Sequence, residues 1–221
     1  MPQKWAIRLA IQGDLRFLSH HDTMRTIERI AARTELPLHY SQGFNPRPVI
    51  SLTMPRPVGV AACGDLLVLG LDEPIEADLL LRRLNDEAPR GMRFERATPL
   101  SGRKGPTIAR AEYELDLPES QIPPVQERLT QLRACTDWPT ERMIPSKRNR
   151  RTAETYKRID LRPLVGRIDL EGRTLRFTLV GISGLWARPA ELLGLLGLDR
   201  QGDLARTVRT HLQCNCAQEL N

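Results

Sequence analysis

"KWAIRLAIQGDLRFLSHHDTMRTIERIAAR", residues 4–33, decides how the rest of the chain is read. Trp5, Ile7, Leu9 and Ile11 alternate with Ala6, Arg8, Ala10 and Gln12, the period of a strand with one buried face. The period then changes. Met24, Ile27, Ile30 and Ala31 recur on one face of a helix, and Ser19 with Asp22 three residues on is a capping pair at its start. A strand running directly into a helix asks for a second strand beside the first. Working outward, extended segments are expected at 36–40 and 49–53, with a strand at 65–71. A helix after Pro74 uses Leu79, Leu80 and Leu84, and a strand follows near 92–97. The order is β-α-β-β-α-β, a ferredoxin-like split β-α-β unit.

Residues 101–110 read as a Gly/Pro-rich linker, and the pattern partly restarts after it. Tyr113, Leu115 and Leu117 alternate with acids. Pro123 and Pro124 open a helix carrying Val125, Leu129 and Leu132. A strand near 139–144, a hairpin turning at Glu171-Gly172, a short helix from Pro189 to Gly197 and a strand at 207–214 complete it. The expected class is therefore α+β: two ferredoxin-like halves packed together, 1–100 and 111–221, the second with an extra hairpin.

The 221 residues are 40% hydrophobic and 27% charged, the profile of a soluble globular chain. No apolar run reaches the roughly 20 residues that span a bilayer, and the start has no continuous apolar signal region. Cys63, Cys135, Cys214 and Cys216 are too scattered for a disulfide framework, so a reducing cytoplasm is the expected location, with no membrane partner. Cys214-Asn215-Cys216 with His211 lacks zinc-finger spacing, and there is no P-loop, GxGxxG or three-cysteine cluster motif. No metal site and no cofactor on this chain are expected.

The net charge of +6 is concentrated. Arg142, Lys147, Arg148, Arg150, Arg151, Lys157 and Arg158 face one local acid, Glu154; the other 26 basic and 26 acidic residues balance. Such a run attracts polyanions. Lys147, Arg148, Arg150, Arg151, Lys157 and Arg158 are the candidate nucleic-acid backbone contacts, with Tyr156 as a stacking face. The alternative is a solvated loop.

Two other stretches stand out. In "LRFLSHHD", His20 or His21 sits where a helix start favours an anion, and a neutral histidine there can serve as a base; alternatively Ser19 and Asp22 cap the helix and the histidines fill its first turn. In "YSQGFNPRPVIS", Gly43 permits a positive φ while Pro46 and Pro48 hold Asn45 and Arg47 extended. Phe44 would stack on a base and Arg47 grip a phosphate; alternatively the loop is a rigid crossover with Phe44 in the core.

These two stretches together closely resemble the signature of the bacterial radical-SAM-linked protein family. The matching positions are Arg16, Phe17, Ser19, His20, Asp22, Arg29, Pro37, Tyr40, Ser41, Gly43, Phe44, Asn45, Pro46, Pro48, Pro57 and Gly59. His21 falls at a variable position, so the resemblance selects His20. "IDLRP" and "ARPAELLGLLGL" downstream are similar to the family as well. Where the family tends to show Ser and Glu, this chain has Ala62 and Asp65.

The resemblance implies an accessory role, not an enzyme on its own, beside a separately encoded radical SAM protein. S-adenosylmethionine and the iron–sulfur cluster would belong to that partner. His20 is then the candidate catalytic residue, and Arg16, Ser19, Asp22, Tyr40, Ser41, Gly43, Phe44, Asn45 and Arg47 bind an RNA or nucleotide substrate. A metal-independent endoribonuclease with a histidine acid/base, suggested by a fold-level likeness to paired ferredoxin-like CRISPR endoribonucleases, is one rival. A purely protein-binding subunit is another.

Overall fold

The computed structural model describes residues 2–101, 105–144 and 155–214. The chain forms two compact units, Met1–Glu114 with Ala205–Asn221, and Leu115–Leu204. The sequence placed the division within 101–110. It falls instead inside a strand, and the last strand belongs to the first unit.

In the first unit β1 (Gln3–Ile11) leads through a 3-10 turn, Gly13–Phe17, into α1 (His20–Arg33). Then come β2 (Ile50–Leu52), β3 (Ala61–Leu71), α2 (Ala77–Asp86), β4 (Met92–Leu100) and β5 (Ile108–Asp116). The order β-α-β-β-α-β is the expected one for β1 to β4. These strands form a large, mostly antiparallel sheet: β4 pairs β1, β1 pairs β3, and β2 pairs β3 over Ile50–Leu52. The 36–40 segment is not a continuous strand and touches the sheet through single bridges such as Leu38 to Leu71.

The alternation expected to bury one face of β1 is only part of the outcome, because Ala6 and Ala10 on the other face are buried as well. Trp5, Ile7, Leu9 and Ile11 face Leu67, Leu69 and Leu71 of β3 in one core, covered by Ile27, Ile30 and Ala31 of α1 and by Leu80 and Leu84 of α2. Each leucine or isoleucine among them, removed from water, contributes about 1.5–3 kcal/mol. Gly91, at φ +93, lets the chain enter β4 close to β1: an added Cβ would stand 2.7 Å from the Gln12 carbonyl oxygen. Asn85 closes part of the β4 edge, accepting from the Phe94 N–H at 2.9 Å and donating to its carbonyl at 2.8 Å.

In the second unit α3 (Ile122–Ala134) is followed by β6 (Pro139–Ile144) and β7 (Thr155–Asp160), an antiparallel pair. Next are β8 (Val165–Glu171) and β9 (Thr174–Val180), which turn at Gly172 as expected, and two short helices, α4 (Pro189–Leu195) and α5 (Gly202–Arg206). The strand content of β7 and the separate α5 are not legible in the sequence. Finally β10 (Val208–Cys214) returns to the first unit, parallel to β3 at Ala61–Ala62 and antiparallel to β5. No helix among the described residues is long and apolar enough to cross a membrane.

Candidate functional site

The chain runs beside β3 at His39, whose N–H donates to the Gly70 carbonyl at 2.9 Å, leaves it there, and returns at Val49, whose carbonyl accepts from Gly70 N–H at 2.8 Å. The intervening excursion is closed by its own hydrogen bonds. Val49 N–H donates to the His39 carbonyl at 2.8 Å, and Ser41 N–H donates to the Arg47 carbonyl at 2.8 Å. The Ser41 hydroxyl accepts from Arg47 N–H at 3.1 Å, and Tyr40 bridges Pro48. Gly43 adopts φ +146, which favours glycine. At the tip Phe44 is fully exposed, at 104% of its reference surface. Core filling by Phe44, the structural alternative, is therefore not what the loop does. Tyr40 is 45% exposed, and Ser41, Asn45 and Arg47 also face solvent. A phenylalanine held wholly in water gains nothing for folding, because its burial would be the stabilising step.

At the start of α1 the capping pair is realised. The Ser19 hydroxyl accepts from Asp22 N–H at 3.1 Å and donates to Asp22 Oδ2 at 2.7 Å. These two side chains are thus engaged with each other and with the helix end. His20 follows in the first turn, half-buried, its Nδ1 shielded and without a hydrogen-bond partner among the described residues. Burial, and secondarily the neighbouring His21, hold His20 below the usual imidazole value. His20 therefore tends to the neutral form. Arg16 lies just before, its guanidinium 4.9 Å from the Phe17 ring.

The two motif groups stand at different levels of the fold. Arg16, Ser19, His20 and Asp22 sit at the Ile11 end of β1, whereas the loop departs beside Gly70, which pairs with Lys4 at the other end. Along α1 the loop meets Arg25, Glu28, Arg29 and Ala32. His20 and Arg29 are nine residues apart, about 14 Å of helix axis. Among the described residues no hydrogen bond or ion pair joins the groups.

A third constellation escaped the sequence reading. Asp65, 2% exposed at its side chain, accepts from Arg209 at 2.7 and 2.8 Å and has Arg56 Nε at 3.9 Å. Arg209 also donates to the carbonyls of Pro55 and Met54 at 3.2 Å and hydrogen-bonds Tyr113, whose hydroxyl burial pushes up in pKa. Arg56 donates to the carbonyls of Arg16 at 2.8 Å and of Val60. This buried cluster clasps three backbone segments around the turn that positions His20. One acid within the apolar run "GDLLVLGL" was the available signal, since a buried carboxylate needs a partner. That the partner lies 144 residues away was not.

The basic segment falls in the second unit. Lys147, Arg148, Arg150 and Arg151 lie outside the described residues. Arg142, counted in the charge excess, is bound in a two-pronged ion pair with Glu191 at 2.6 Å and donates to the Trp186 carbonyl at 2.8 Å. It is structural, so the excess available to a polyanion is smaller than the count suggested. Arg158 faces Asp137 at 3.5 Å. Lys157 is exposed beside Tyr156, itself 54% exposed and opposite Met143 in the β6–β7 pair. No group of three His, Cys, Asp or Glu side chains among the described residues is arranged to hold a metal ion.

A family model described as "Uncharacterized protein conserved in bacteria (DUF2344)" matches residues 4–189. The chain belongs to that family. The match contains the α1 start, the loop, Arg56 and Asp65, but stops before Arg209. None of the curated proteins matches. Among solved structures, one described as "Crystal Structure of an Unknown Protein from Galdieria sulphuraria" aligns at 13% identity over 81% of this chain and 84% of that one, with a TM-score of 0.25, too low to inform the fold.

Proposed function

We propose that this chain is an accessory RNA-binding protein, built from two ferredoxin-like halves, that holds an RNA or RNA-like substrate for a separately encoded radical SAM enzyme in the bacterial cytoplasm. The observation that carries the binding reading is Phe44, fully exposed on a loop closed by the Ser41–Arg47 hydrogen bonds. An aromatic face held in water by a hydrogen-bonded loop, with Arg47 beside it, suits base stacking next to a phosphate contact. The element order of the first unit supports the first half. For the second, the β8–β9 pair turning at Gly172 is the extra hairpin, while the β6–β7 pair presents Tyr156 and Lys157. The partner, and the S-adenosylmethionine and iron–sulfur cluster it would hold, rest on the motif resemblance. His20, half-buried and apart from the loop, is assigned a supporting place at the α1 start.

The test is fluorescence anisotropy with single-stranded oligoribonucleotides. Phe44→Ala should weaken binding about 5- to 150-fold, the range for losing one stacking face, and leave the melting temperature unchanged. An affinity insensitive to Phe44→Ala refutes the reading. RNA cleavage abolished by His20→Ala would replace it with the endoribonuclease. Co-purification from native cells should recover a radical SAM protein; its absence removes the partner assignment.

A further inference from the structure

Between α1 and the feet of the 40–48 loop runs an open groove of about 270 Å³. It is lined by Arg25, Glu28, Arg29 and Ala32 of α1 and by Leu38, Tyr40 and Pro48 at the feet of the loop. The two arginines are four residues apart and so lie on the same side of the helix, one turn from each other. Both are exposed. Arg25 makes only a loose surface pair with Asp22 at 3.7 Å, and among the described residues Glu28 is the single acid lining the groove. Counting Arg47 on the loop, the charge around this cleft is positive.

We propose that this groove is the path of a single-stranded polynucleotide. Consecutive phosphates lie against Arg25 and Arg29 while neighbouring bases stack on Tyr40 and Phe44. The inference rests on the RNA-binding reading and deepens it, assigning the strandedness of the ligand and a second set of contacts. Three features select this occupant. Guanidinium groups on one helix face match phosphates. Tyr40 and Phe44 belong to the same loop, so both rings serve one strand. Inside a duplex the base faces are already stacked and unavailable to side chains, so aromatic platforms select unpaired strands. An acidic peptide would use the arginines but leave both rings without a role.

The experiment titrates a labelled oligouridylate, and a duplex of equal length, at several salt concentrations. For single strands each neutralised phosphate contributes about −0.7 to the slope of log affinity against log salt. Arg25→Ser with Arg29→Ser should therefore flatten the slope by about 1.4. The same charge change at exposed Arg82 and Arg90, away from the groove, should leave it unaltered. Tyr40→Ala should cost about 5- to 150-fold in affinity, and Tyr40→Phe should restore it. Should Tyr40→Ala fail to fold, the paired arginine variant decides, because both its positions are on the surface. Duplex binding as tight as single-strand binding, or an unchanged slope, overturns the inference. A wild-type protein that binds no RNA brings down the RNA reading too. Phe44-sensitive binding indifferent to Arg25 and Arg29 brings down the groove alone.

Discussion

Replacing Asp65 by Asn removes the carboxylate placed between Arg209 and Arg56. The side chains of all three are 4% exposed or less, so neither guanidinium can turn to water when the charge is lost. Breaking a buried pair from one side costs about 3–5 kcal/mol, since the remaining charge stays desolvated. Asparagine keeps one acceptor oxygen for Arg209, which places Asp65→Asn near the lower value, about 3 kcal/mol. For a chain of this size each kcal/mol moves the melting temperature by about 2–4 °C, so the expected drop is about 6–12 °C. Thermal unfolding by circular dichroism at neutral pH reads it directly. A companion cycle uses Asp65→Leu, Arg209→Met and the two combined. Removing both partners should destabilise by less than the sum of the single changes, because the double variant leaves one buried cation instead of two. A fall of less than about 2 °C for Asp65→Asn, or strict additivity in the cycle, would refute the view that this cluster holds β10 to the turn before α1.

Asn85→Ala should expose the Phe94 N–H and carbonyl on the β4 edge, costing about 1–3 kcal/mol and promoting self-association; urea midpoints and light scattering check both, and an unchanged monomer refutes the edge-blocking role. Burial holds both His20 and His211 below the usual 6.5, His21 adding to the effect at the first, while at the second Arg8 adds and Glu112 opposes. Their contribution to stability is thus complete above pH 6.5 and is lost as the pH falls through the lowered folded values. His20→Gln and His211→Gln should each make the melting temperature less sensitive to acidification over that window; a wild-type melting temperature that does not fall there refutes the sign.

Much of the first unit is local in origin, and the sequence alone determined it. The alternation of Trp5, Ile7, Leu9 and Ile11 and the 3.6-residue recurrence around Ile27 and Ile30 each express which face an element must bury, and that depends only on nearby residues. The Ser19–Asp22 cap is local for the same reason: its partners are three residues apart. The unusual character of the 40–48 loop was visible too, because glycine and proline restrict φ wherever they stand.

Tertiary structure decided what depends on distant partners. Whether Phe44 fills a core or meets water is not set by its neighbours in sequence; the closure of the loop at its feet turned it outward. Arg142 counted as free charge until the fold brought Glu191 against it, 49 residues on. Asp65 could be recognised as an acid needing a partner, but Arg209 reaches it only because β10 returns to lie parallel to β3. A pairing across 144 residues leaves no periodic trace, since its energy comes from two buried charges meeting and not from any pattern along the chain.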